Sequence, residues 1–255
     1  MIDLATASAQ WRVATVMAIR NETATVKTIS FDVPGWPGHL GGQHVDLRLT
    51  AEDGYVAQRS YSIASGARSG PLVELTVDAV PDGEVSGFLH ADLRIGDQIE
   101  IRGPIGGYFA WSAAHDYGLL LIAGGSGIVP LMSMLRSRAA GGATQPARLL
   151  YSSRGIDQII YRAELDRLAA QGAGAHFTLT HTLTRNAPSG WTGERGRIDR
   201  MMLTRRQFTP AGNPDVYVCG PTAFVETIAE HLVAMGHKAG NVRTERFGPT
   251  GAIRA

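Results

Sequence analysis

The sequence predicts two domains, an N-terminal antiparallel β-barrel over residues 1–112 and a C-terminal α/β domain with a parallel sheet over residues 113–255. Three observations carry this. From Trp11 to Trp111, short stretches rich in β-branched residues alternate with Gly, Pro and Asp turns. After Ala113, continuous apolar runs alternate with segments of helical spacing, as in strands buried on both faces and covered by helices. A chain of 255 residues is also long enough for two modest domains.

In the first half, "WRVATVMAIR", "TATVKTISFDV", "QHVDLRLT", "QRSYSIAS", "LVELTVDAV" and "DQIEIRG" read as strands. Val73, Leu75, Val77 and Ala79 alternate with Glu74, Thr76 and Asp78, the pattern of a half-buried strand. In "QRSYSIAS" the same period puts Arg59, Tyr61 and Ile63 on one face and Ser60, Ser62 and Ala64 on the other. One short helix, "EVSGFLHAD", interrupts the strands.

In the second half, "YGLLLIAGG" is a buried strand and "IVPLMSMLRSRAA" the helix after it. Strand "ARLLYSSR", helix "IIYRAELDRLAAQ", strand "AHFTLTHTLTR" and a short helix near Arg200 follow. Strand "DVYVCG", helix "PTAFVETIAEHLVAMG" and strand "NVRTERF" complete the domain. In that last helix Phe224, Val225, Ile228, Leu232 and Val233 share a face, Pro221 suits the first turn, and Gly236 suits the C-terminal cap.

Composition narrows the function. With 24 Lys and Arg against 23 Asp and Glu, the net charge is +1, so the chain has no global attraction for nucleic acid or an anionic membrane. One cysteine, Cys219, cannot form an internal disulfide, a four-cysteine zinc site or a thiolate-ligated iron–sulfur cluster. The eight histidines show no metal-ligand spacing, so no metal is expected, and His44, His90 and His181 read as structural or surface residues. No signal-peptide pattern opens the chain and no apolar run approaches a membrane span. The expectation is a soluble cytoplasmic monomer.

Four places carry candidate chemistry. In "LIAGGSGIVP", Gly124, Gly125, Ser126 and Gly127 lie between a buried strand and a helix starting near Ile128. Glycines let a backbone approach a ligand closely and a helix N-terminus favours an anion, which suits a dinucleotide pyrophosphate. The spacing departs from the usual G-x-G-x-x-G, and a ligand-free glycine turn is the alternative. "YVCGPT" puts Cys219, Gly220 and Pro221 at a strand's carboxyl end, where open parallel sheets bind ligands, although a lone cysteine is more often structural. Arg154 and Arg185 end strands and Arg197 lies in a loop; a guanidinium fork suits a phosphate, and solvated surface arginines are the alternative. Gly83, Val85 and Ser86 open the first-half helix, where backbone amides can meet a second anion or Ser86 can be a plain cap.

The order of these signals is more specific than any one of them: Arg-x-Tyr-Ser, a Gly-x-Val-Ser helix start, "GPIGGYF", "GGSGI", "CGP" and "ERF". Over about Trp11 to Gly251 the chain resembles the ferredoxin–NADP reductase superfamily. "YSSRGIDQIIYRAEL", "GWTGERGRID" and "RTERFGPTG" resemble stand-alone bacterial FAD-binding oxidoreductases. The resemblance implies a flavin on "RSYS". Arg59 then meets a flavin phosphate, Ser60 lies in the same strand, Tyr61 packs on the isoalloxazine, and Ser62 lies near flavin N5. It implies FAD rather than FMN, with the pyrophosphate on the amides around Val85 and Ser86. A nicotinamide dinucleotide is implied at Gly124 to Ile128. Arg154, Arg185 and Arg197 then argue for NADPH, while Asp157 leaves NADH open. Ser62, Cys219, Glu245 and Phe247 are the implied catalytic groups, Phe247 covering the flavin face. The implied activity is hydride transfer from NADPH to FAD, then single electrons to a separate acceptor such as a ferredoxin or another redox protein. A reductase of free flavin or quinone, and a flavin relay subunit that accepts no hydride, are the other two readings.

Overall fold

The computed structural model describes residues 10–67, 70–114, 117–171 and 176–247. They form two compact units. One holds residues 10–114 together with Met132–Ala143, and the other holds residues 117–131 and 144–247.

Among the described residues, the first unit is a six-stranded sheet of β1 (Trp11–Asn21), β2 (Val26–Asp32), β3 (His44–Thr50), β4 (Val56–Ser62), β5 (Leu72–Asp78) and β6 (Gln98–Ile105). The order is β4-β3-β6-β1-β2-β5, with antiparallel neighbours throughout. Just past β4 the sheet closes on itself. Ile63 bridges Leu75 of β5, and Ala64 N–H donates to Glu74 C=O at 2.7 Å. This closure ends β4 earlier than "QRSYSIAS" suggests: Ile63 leaves β3 to join β5, so the strand spans Val56–Ser62. Alternation sends Ile29, Phe31, Val45, Leu47, Val73, Leu75, Ile99 and Ile101 inward, where they are buried. Each such side chain contributes roughly 1.5–3 kcal/mol on burial. Helix α1 (Glu84–Ala91) adds Val85 and Leu89 to the same core.

The second sheet contains β7 (Leu119–Gly124), β8 (Ala147–Gly155), β9 (Phe177–Asn186), β10 (Glu194–Arg195), β11 (Asp215–Pro221) and β12 (Val242–Phe247). Its order is β10-β9-β8-β7-β11-β12 and all pairs are parallel. The helices are α2 (Ile128–Ala140), α3 (Arg162–Gln171), α4 (Arg200–Arg205) and α5 (Thr222–Ala234). The chain steps outward from β7 to β10, then returns to the other side of β7 at β11. The strand order therefore reverses between β7 and β11, at whose carboxyl ends open α/β sheets place their ligands.

Four details differ from the sequence expectation. Helix α3 starts at Arg162 rather than Ile159, because Ile159 is extended and Tyr161 takes φ +58, which a helix cannot continue. Pro221 is the last residue of β11 and the N-cap of α5, not its first turn. Val233 is 46% exposed, so the buried face of α5 is Val225, Ile228 and Leu232 with Phe224. The short strand β10 lies in "GWTGERGRID", whose glycines gave no strand signal.

Candidate functional site

In the first unit, β4 carries the "RSYS" residues on two faces. Tyr61 is half-buried with one part in contact with the barrel core, and burial raises its hydroxyl pKa to about 12. Arg59 is exposed and its guanidinium donates to Gln58 C=O at 2.6 Å. On the outer face Ser60 Oγ donates to Asp46 Oδ1 at 2.7 Å, so this hydroxyl is engaged within the protein. Ser62 differs: its Oγ is buried and has no hydrogen-bond partner among the described residues. An orphaned buried hydroxyl costs about 1–3 kcal/mol unless a ligand meets it.

The start of α1 is built around Gly83, its N-cap. A Cβ there would lie 2.5 Å from Ser86 Oγ and 3.0 Å from Val80 C=O, so a larger residue would displace the serine side chain. Ser86 Oγ donates back to Gly83 C=O and accepts from Val80 N–H, both at 3.2 Å. It thus shapes the turn without capping the helix. The first-turn amides of Glu84, Val85 and Ser86 have no intrahelical acceptors and can serve an anion.

In the second unit, two glycine turns interlock at the topological switch. Gly124 ends β7, Gly125 to Gly127 form a 3-10 turn, and Ile128 starts α2 fully buried. A Cβ on Gly127 would lie 2.1 Å from Cys219 O, and one on Gly220 would lie 2.9 Å from the Phe224 ring. These two glycines serve close packing of β7 on β11. Gly125 is different: it is exposed, takes φ +57, and a Cβ on it would meet nothing within 4 Å. Gly125 and the half-exposed Ser126 form the part of the turn open to a ligand.

Cys219 is fully buried and stands beside Glu245 in the β11–β12 register. Burial, reinforced by Glu245, pushes its thiol well above the ordinary range, so it is a neutral thiol. Burial also raises the Glu245 carboxyl from 4.5 to about 7, and its Oε2 has no partner among the described residues. Phe247, opposite Pro221 in the same register, ends β12 partly exposed; residues 248–255 lie outside the described residues.

Arg154 lies at the end of β8 and Arg185 at the end of the neighbouring β9, while Arg197 follows β10. All three are exposed, and their side chains form no hydrogen bond or ion pair with another described residue. Arg205 and Arg206, by contrast, are engaged with Glu194 of β10. One residue escapes the sequence pattern: Ser153, next to Arg154, whose buried Oγ also has no partner among the described residues. "YSSR" contains it, but its second serine carries no signal apart from the arginine beside it. His181 lies between Tyr151 and Trp191, with ring centroids at 5.6 and 6.5 Å, and its burial lowers its pKa. Both of its ring nitrogens are buried with no hydrogen-bond partner among the described residues. Among the described residues no three His, Cys, Asp or Glu converge as a metal site.

Among the described residues, the donor set suits FAD and a nicotinamide dinucleotide: first-turn amides at α1 with no acceptor, a buried hydroxyl on β4 with no partner, an open glycine turn and arginine side chains with no partner. Residues 14–110 match the oxidoreductase FAD-binding domain and residues 121–230 the oxidoreductase NAD-binding domain. The chain is 31% identical over 239 residues to the glycine betaine monooxygenase reductase subunit of Chromohalobacter salexigens, covering 92% of this chain and 64% of that one. It is 32% identical over 206 residues to NADH-cytochrome b5 reductase 1 of Pyricularia oryzae, covering 77% and 64%. This chain thus spans slightly under two thirds of each relative's length. Its fold matches the flavohem-like FAD/NAD-binding domain of nitric oxide dioxygenase from Vibrio cholerae with a TM-score of 0.81 at 22% identity, covering 93% of this chain and 99% of that one.

Proposed function

This chain belongs to the ferredoxin–NADP reductase superfamily of flavoproteins, and from that premise we propose that it moves hydride from NADPH to bound FAD and passes electrons singly to a separate acceptor. The two cofactors supply the redox chemistry. The protein's own residues bind, orient and exclude water. The amides of Val85 and Ser86 behind Gly83 hold the flavin pyrophosphate, Arg59 meets a flavin phosphate, and Tyr61 backs the ring. Ser62 Oγ, without a partner among the described residues, would gain one at the flavin's reacting edge. Gly124 to Ile128 take the nicotinamide dinucleotide's pyrophosphate. Cys219, Gly220 and Pro221 shape the nicotinamide end, and Glu245 holds a proton there near neutral pH.

The observation that carries NADPH over NADH is the set of arginines at 154, 185 and 197, without side-chain partners among the described residues and on the carboxyl side of neighbouring strands. Guanidinium groups at these strand ends suit a charged 2′-phosphate better than a neutral 2′-hydroxyl. The acceptor is a separate redox protein such as a ferredoxin. The relative from Chromohalobacter salexigens, named as a monooxygenase reductase subunit, supports that choice.

The test is anaerobic titration of the flavin-loaded protein with NADPH and with NADH, following flavin absorbance. Fast bleaching by NADPH and slow bleaching by NADH is the expected result. Faster bleaching by NADH overturns the arginine assignment, and no bleaching by either overturns the hydride reading.

A further inference from the structure

Every second residue of β9 from Thr178 to Thr184 is a threonine. The last two reach sideways, to opposite neighbours. Thr182 Oγ donates to Gly196 C=O at 2.7 Å, just past β10, and Thr184 Oγ donates to Ser153 C=O of β8 at 3.2 Å. Gly196 is held a second time, its N–H donating to Leu183 C=O at 2.9 Å. The residue after Gly196 is Arg197, and the residue after Ser153 is Arg154. A carbonyl and the next residue's N and Cα lie in one rigid plane. Pinning these two carbonyls therefore fixes the points from which Arg154 and Arg197 project.

The β8–β9 ladder adds a second device. It pairs Ser153 with Leu183 and then Gly155 with Asn186. Between these pairs β8 has one residue, Arg154, and β9 has two, Thr184 and Arg185. The irregularity sets both of them opposite Arg154, where a regular ladder would set Arg185 opposite Gly155. On the other side of Arg197, Asp199 Oδ1 accepts from Met202 N–H at 2.7 Å and caps α4. The backbone around all three arginines is thus fixed, while their side chains have no partner among the described residues. Their placement comes from the backbone.

We propose that Thr182 and Thr184 are positioning residues for recognition of the 2′-phosphate. Their hydroxyls hold the peptide planes that carry Arg197 and Arg154, and β9, lying between β8 and β10, itself carries Arg185. The inference rests on the reading that these arginines meet a 2′-phosphate. Neither threonine has to touch the ligand. A hydroxyl that only satisfied the sheet would support every nucleotide of the domain equally. One that aims an arginine supports the phosphorylated nucleotide alone.

The experiment uses two probes that differ only in the 2′-phosphate, 2′,5′-ADP and 5′-AMP, titrated by calorimetry into the flavin-loaded protein. Wild type is expected to bind 2′,5′-ADP at least about tenfold more tightly, the worth of a charge-assisted hydrogen bond. Absence of that preference overturns the arginine assignment itself. With the preference present, Thr184→Val and Thr182→Val are each expected to lose about three- to tenfold in affinity for 2′,5′-ADP and nothing for 5′-AMP. Thr184→Ser and Thr182→Ser, which keep the hydroxyl, are expected to stay close to wild type. Either position suffices if the valine variant at the other does not fold. Arg154→Ala is expected to cost less in the Thr184→Val background than in wild type, because the two act through one contact. Full preference in the valine variants, equal losses for both probes, or an Arg154→Ala cost unchanged by Thr184→Val overturns the positioning role.

Discussion

Glu245 holds its proton up to about pH 7 because burial opposes the carboxylate, whereas the unfolded chain releases it near the ordinary glutamate value of 4.5. The folded form therefore binds more protons between those values. This residue's contribution to stability is complete below about 4.5 and is lost as pH rises toward and past 7. Glu245→Gln stays neutral. It is expected to match wild type in urea denaturation at pH 4.5 and to be more stable by on the order of 2 kcal/mol at pH 8. A constant difference across that range would mean the carboxylate is solvated. Arg154→Ala and Arg185→Ala should each raise KM for NADPH about tenfold or more, the worth of a charge-assisted hydrogen bond, with KM for NADH unchanged. Equal effects on both cofactors would move the arginines away from the 2′-phosphate. Residues with local signatures were legible in the sequence: Ser62 and Tyr61 from strand alternation, and the glycines from the strand-to-helix turn. The Asp46 partner of Ser60 was not, because the β3–β4 register sets it and no spacing along the chain encodes that.

Among elements, the glycine turn after β7 combines two requirements that look alike in "GGSG". Gly127 is fixed by contact with Cys219 O, and Gly125 by its positive φ in open space. Gly127→Ala should destabilise by roughly 1–3 kcal/mol through overpacking, and Gly125→Ala by about 1 kcal/mol through backbone strain alone. Denaturant midpoints check this; the reverse ranking would show that the turn relaxes. Only Gly125→Ala is expected to weaken dinucleotide binding out of proportion to stability. Element type was readable from periodicity because each strand or helix buries one face. Element ends were not. The start of α3 depends on Tyr161 at φ +58, and the end of β4 on a bridge to β5, and neither leaves a mark in the hydrophobic period.

For the whole molecule, the two-domain architecture was legible because the hydrophobic period changes near residue 113. The membership of α2 was not. Met132–Ala143 groups with the barrel strands, where Ser133 Oγ donates to Ser65 C=O at 2.6 Å and Ser137 Oγ accepts from Ala67 N–H at 2.7 Å. Arg136 Nη1 reaches both Ala64 C=O at 2.8 Å and Glu74 Oε2 at 3.1 Å. Arg136→Ala leaves a carbonyl and a carboxylate short of a donor, and a loss of about 1–3 kcal/mol is expected in urea unfolding. An unchanged midpoint would mean water replaces the guanidinium. The segment that completes the barrel is thus encoded downstream of β7, inside the stretch that matches the NAD-binding family. A gene crossover between the two family segments would separate the barrel from part of its own fold. Recombination that keeps both products foldable must exchange the cassette through residue 143 intact.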